Sequence, residues 1–101
     1  SCLLPVETID GATIDTIEGL TPMEGLHPIQ EAFLEGFATQ CGFCTSGFIL
    51  MTQRLLEEHP DPDDAQIRDY LSGNLCRCGT YPEIVQAVRL AASKKAQAAA
   101  A

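Results

Sequence analysis

Two runs decide how this chain is read: Gln40-Cys41-Gly42-Phe43-Cys44-Thr45-Ser46-Gly47-Phe48, and then Gly73-Asn74-Leu75-Cys76-Arg77-Cys78-Gly79-Thr80-Tyr81. Four of the five cysteines of the 101-residue chain fall in them, the fifth being Cys2. Cysteines separated by one or two residues close almost no loop, so they make poor disulfide staples. They make good two-point chelates. Five is also an odd count, and two disulfides would leave one thiol over. A metal in a reducing compartment is the better reading, which places the protein in the cytoplasm. Four thiolates with no histidine among them suit structural zinc or an iron–sulfur cluster. Zinc ribbons commonly pair two C-x2-C or C-x4-C units on β-hairpins. Here one unit is C-x-C and both lie between helical patterns, which favours iron–sulfur. A zinc-stabilised interaction module and a thiol redox protein remain the alternatives. Gly42 and Gly79 remove Cβ atoms beside the cysteines, which lets backbone N–H groups turn toward sulfur.

Outward from these runs the chain reads as helices. The first is expected over 28–39, opened by Pro28 and facing inward with Ile29, Phe33, Gly36 and Phe37. The second spans 46–57, with Phe48, Ile49, Met51, Leu55 and Leu56 as its apolar stripe, and stops before His59-Pro60. A third, 64–72, follows an acidic N-cap region and uses Ile67, Tyr70 and Leu71. The fourth, 81–93, starts from Thr80 with Glu83 at capping-box spacing and turns Ile84, Ala87, Val88 and Ala91 inward. Phe33, Phe37, Phe48 and Met51 are read as core. Residues 1–25 read as extended structure and linker, and 94–101 as a fraying helix end or disordered tail. His27 and His59, each beside a proline, are structural or solvated rather than ligands.

Each half is thus a helix, a cysteine pair, a small-residue cap and another helix. The expected fold is mainly α, a four-helix bundle of two helical hairpins that face each other about a pseudo-two-fold axis. A two-iron cluster, whose irons each want two thiolates, has the same symmetry, so Cys41, Cys44, Cys76 and Cys78 are expected to hold one [2Fe–2S] cluster. The net charge of −8 argues against nucleic acid and anionic membranes as partners. No apolar run is long enough for a membrane span. Ser1-Cys2-Leu3-Leu4-Pro5 carries no secretory pattern.

The two runs, in this order, resemble the iron–sulfur subunit of the molybdenum hydroxylases, the xanthine oxidase, carbon monoxide dehydrogenase and aldehyde oxidoreductase family. The likeness extends from about residue 2 to 92. It implies that 26–93 is the helical [2Fe–2S] domain and that 1–25 is a short β remnant, the last strands of a plant-type ferredoxin domain. Residues 11–20 are similar to the family's hairpin at that junction. Cys2 stands where a fourth ligand of the ferredoxin cluster would stand, without its three companions; either they lie upstream of this chain or that cluster is lost. Cys78-Gly79-Thr80-Tyr81 departs from the commoner order, in which Thr precedes Gly, and makes Thr80 the helix cap. The implied role is the electron-transfer subunit of a molybdenum-dependent oxidoreductase. Electrons would leave a molybdopterin-type molybdenum cofactor in a large partner subunit, cross this cluster and a second [2Fe–2S] cluster, and reach FAD on a flavin subunit or another acceptor. No residue of this chain would be catalytic. The resemblance further places Gln40 and Cys78 beside the pterin, and leaves Arg77 free for the cofactor's phosphate, a partner carboxylate or solvent.

Overall fold

A computed structural model describes residues 3–100 of the chain. Cys2 lies outside the described residues. A 3₁₀ turn, Val6–Ile9, is followed by five helices: α1 Ile17–Leu20, α2 Pro28–Glu35, α3 Thr45–Glu58, α4 Asp64–Tyr70 and α5 Tyr81–Ala100. Among the described residues no helix is long and apolar enough to cross a membrane.

The core is the set of apolar stripes expected from the 3.6-residue period. Ile29, Ala32 and Phe33 of α2 meet Ala87, Val88 and Ala91 of α5, and all are 2% exposed or less. Phe48 and Leu55 of α3, Ile67 of α4 and Ile84 of α5 complete it. Each such large side chain contributes about 1.5–3 kcal/mol by leaving water. The α2–α5 contact is the most extensive between any two helices. It is close because it uses small residues: a Cβ built on Gly36 would lie 3.6 Å from the Ala87 Cβ. Lys94 ties the far side of the same contact, reaching Glu35 at 3.0 Å and Glu31 at 3.6 Å.

The caps explain where the helices begin. His27 Nδ1 accepts from the Ile29 N–H while Gln30 Oε1 accepts from the His27 N–H, a reciprocal capping box ahead of Pro28. Asp63 and Gln66 make the same arrangement before α4. The histidine beside the proline is therefore structural, as its position suggested.

Three expectations change. Residues 3–25 contain no strand; they form the 3₁₀ turn and the single turn of α1. A strand must pair its N–H and C=O groups with a neighbour, and the described residues offer none. Ile17 and Leu20 instead pack against the core through α1 and α3. The first long helix ends at Glu35, not at 39, because Phe37 takes a left-handed φ of +53°. Phe37 thereby leaves the helical register and is 81% exposed rather than core. The last helix, conversely, runs on past 93 to Ala100, as its alanine-rich sequence permits.

Candidate metal centre

Two loops carry the four cysteines within the described residues, one between α2 and α3 and one between α4 and α5. Each turns through a glycine directly after a cysteine, Gly42 at φ +86° and Gly79 at +80°. That region is costly for any residue with a Cβ. A Cβ on Gly79 would meet no protein atom within 4 Å, so backbone rotation rather than crowding by the protein sets the requirement.

The first loop is closed by its own ends. The N–H groups of Gly36, Phe37 and Ala38 fold back onto the last carbonyls of α2, and Ala38 is buried. The Thr39 and Thr45 hydroxyls meet each other at 2.8 Å across the loop. Cys41 is exposed, Cys44 half-buried, and Phe43 between them is 95% exposed.

The second loop is wired through side chains. The Cys76 N–H donates to Tyr81 Oη at 2.7 Å, and Cys76 Sγ lies 3.1 Å from Thr80 Oγ1. The Tyr81 ring stands edge-on to Phe48, which roots the loop in the core. Cys76 and Thr80 are buried, whereas Cys78 is exposed. The Thr80 hydroxyl is thus turned to sulfur instead of forming the capping box expected with Glu83; the Thr80 carbonyl starts α5 by accepting from the Ile84 N–H.

The four cysteines are free thiols, and the loops bring them together. Cys41, Cys44 and Cys76 line a cavity of about 410 Å³ with Phe43, Leu75, Arg77 and Tyr81. Cys41 lies close enough to Cys78 to perturb the Cys78 thiol, as Cys44 and Cys76 perturb each other. Their acidities diverge. The Thr80 hydroxyl, followed by the Thr80 N–H, brings the Cys76 thiol down to about 6. Burial pushes Cys44 up to about 11, helped by Cys76 beside it. At Cys78 the Cys41 N–H pulls downward, but the Cys41 thiol, burial and the neighbouring charges outweigh it and the net shift is upward. A metal ligand must be the thiolate, and Cys76 has the environment that supplies one.

Among the described residues, no three His, Cys, Asp or Glu side chains converge as a single metal ion would require. The sulfurs associate two by two, each association drawing one cysteine from each loop. Four thiols in that arrangement, three of them lining a cavity and the fourth beside Cys41, fit a [2Fe–2S] cluster, in which each iron takes two thiolates. His27 and His59 cap or end helices and take no part. Gln40 is exposed next to Cys41, and Arg77 is exposed on the cavity rim without an ion pair among the described residues. The contacts of Thr80 and Tyr81 with Cys76 carry no local sequence signal beyond their place two and three residues after the C-x-C.

Comparison with known proteins agrees with this geometry. Residues 16–89 match the family of the [2Fe-2S] binding domain. One nicotinate dehydrogenase subunit, from Pseudomonas putida, is 47% identical over 95 residues, covering 94% of this chain and 60% of that protein. The alpha subunit of isoquinoline 1-oxidoreductase from Brevundimonas diminuta is 44% identical, covering 95% of this chain and 62% of that one. Among solved structures, the aldehyde oxidoreductase of Desulfovibrio gigas superposes with a TM-score of 0.86 at 39% identity, over 95% of this chain and 11% of its own. Quinoline 2-oxidoreductase of Pseudomonas putida 86 gives 0.85 at 37% identity, over 96% of this chain and 61% of its own. The chain therefore spans about 60% of the length of these two relatives' subunits.

Proposed function

The chain belongs to the [2Fe-2S] binding domain family, and from that premise we propose that it is the electron-transfer component of a molybdenum hydroxylase. Cys41, Cys44, Cys76 and Cys78 hold one [2Fe–2S] cluster, which accepts and releases one electron at a time. The observation that carries this reading is the meeting of free thiols from two separate helix–loop–helix units, Cys41, Cys44 and Cys76 lining one cavity and Cys78 beside Cys41.

The chain's own work is to hold, insulate and present. Residues 26–93 form the two-hairpin helical bundle, and the tail that follows extends its last helix to Ala100. Residues 1–25 continue from a ferredoxin-type domain whose sheet would supply the strand partners missing here, and Cys2 would complete that domain's own cluster. Electrons enter from a molybdopterin-bound molybdenum centre in a large partner subunit. They leave toward the second [2Fe–2S] cluster and then FAD on a flavin subunit, or another acceptor. Phe43 and Leu75, 95% and 80% exposed on the rim of the cysteine cavity, are the apolar contacts for the large subunit. Gln40 and Cys78 contact the pterin, a reading supported by the exposure of both residues. A reducing cytoplasm keeps the thiols available for cluster assembly.

Elemental analysis tests the core of this proposal. The purified holoprotein, after subtraction of any other cluster through the Cys76→Ala variant, should yield two irons and two acid-labile sulfides for these four cysteines. One electron from dithionite should bleach the associated visible absorption. Stoichiometric zinc in their place, or four irons, would overturn it.

A further inference from the structure

Thr80 makes a contact that the four-cysteine reading does not use. Its hydroxyl lies 3.1 Å from Cys76 Sγ, and the two residues are 2% and 6% exposed. A sulfur bound to iron carries no proton, so in the loaded protein the hydroxyl is the donor and the sulfur the acceptor. The threonine cannot easily turn away. Its carbonyl is fixed by the Ile84 N–H at 3.0 Å, and its β-branch restricts χ1.

The other three sulfurs differ. Among the described residues, Cys41, Cys44 and Cys78 receive no side-chain hydroxyl, and the two threonines flanking the first loop are spent on each other. The chain thus gives one ligand a hydroxyl donor that the other three lack. A hydrogen bond to an anionic sulfur strengthens as negative charge builds on it, and a buried setting magnifies that difference. The reduced state carries one more electron than the oxidised state, with no proton required, so the bond favours reduction.

We propose that Thr80 is a positioning residue that raises the reduction potential of this cluster through its hydrogen bond to Cys76 Sγ, and biases the added electron toward the iron that Cys76 holds. The proposal rests on Cys76 being a ligand, and the same samples test both statements separately. Thr80→Val keeps the shape and deletes the donor; Thr80→Ser keeps the donor and deletes the methyl. The readout is an EPR-monitored titration of the holoprotein with dithionite and mediators, following the signal that Cys76→Ala abolishes. Thr80→Val should lower the equilibrium constant for one-electron reduction about tenfold, the scale of one charge-assisted hydrogen bond, which is about 59 mV. Thr80→Ser should keep the parent value. A Val variant at the parent potential, or a Ser variant displaced as far as Val, would overturn the proposal. If Val does not take up iron, Thr80→Ala is titrated in its place with the same expectation. Loss of the cluster in both Val and Ala, with Ser fully loaded, would also overturn it, since the hydroxyl would then be needed for assembly and not for potential. Iron and sulfide counts separate the two statements: a parent without two of each refutes the cluster, whereas a loaded Val variant with an unmoved potential refutes only Thr80.

Discussion

The two cysteine loops look alike in sequence and are built differently. Both place two cysteines and a left-handed glycine between helices. The first is held by backbone bonds to the end of α2 and by a threonine pair that touches no sulfur. The second is held by Thr80 and Tyr81, both bonded to Cys76 itself. One loop therefore supplies mainly geometry, and the other supplies geometry together with electrostatics. A repeat in sequence can set up two-fold positions for sulfur without giving them equal surroundings. That inequality suits the proposed relay, where an electron would enter on one side and leave on another.

Ligand substitution gives the largest effect and tests the inequality directly. Cys76→Ser should reduce bound iron about tenfold or more, in line with the 10–100-fold cost of disturbing a metal's surroundings. Cys41→Ser, on the exposed loop, should lose less, as measured by iron per chain after identical reconstitution. Equal loss would break the comparison at its root.

A smaller effect concerns strain. Phe37 is the one residue other than glycine with positive φ among those described, and it lies on the approach to the first loop. Left-handed geometry costs a residue with a Cβ roughly 1–2 kcal/mol, part of which glycine returns as unfolded-state entropy. Phe37→Gly should therefore raise the unfolding free energy of the holoprotein by about 0.5–1 kcal/mol, read from denaturant midpoints. Destabilisation instead would mean that the exposed ring makes a stabilising contact in the assembled protein, which would sharpen the view of the first loop as a docking surface.

The smallest effect is at the far end of α2, which carries the first loop. His27 titrates below its ordinary value because burial disfavours its charge and Lys95 adds to that. Its neutral Nδ1 is the acceptor that caps the helix. Because the folded-state value is the lower one, the unfolded chain binds more protons in the window between the two. The cap's stabilisation is thus fully present above about pH 6.5 and is lost as pH falls through the folded value. Thermal unfolding followed from pH 7.5 to 5 should show this slope in the parent, and His27→Asn, which can cap without titrating there, should flatten it. A slope unchanged by His27→Asn would assign it to another group.

Much of the fold was legible because it rests on local rules. The stripes of α3 and α5, the stop before Pro60 and the acidic start of α4 follow from 3.6-residue periodicity and cap chemistry, and the stripe side chains are buried apart from Met51, which is half-buried against them. The gathering of four cysteines was legible too, from two short spacings with no competing histidine. Phe37 was misplaced because apolar periodicity continues through Gly36, while the backbone leaves the helix to fit the loop. The expected strands near Ile14 and Ile17 failed for a related reason, since a strand is defined by a partner and not by its own residues. What the chain determined by itself was which side chains face inward and which thiols gather. Only the tertiary structure decided which sulfur is buried, which cysteine meets which across the loops, and that a threonine hydroxyl points at Cys76 rather than along its helix. Burial and hydrogen-bond partners are properties of neighbours in space, and no spacing along a chain contains them.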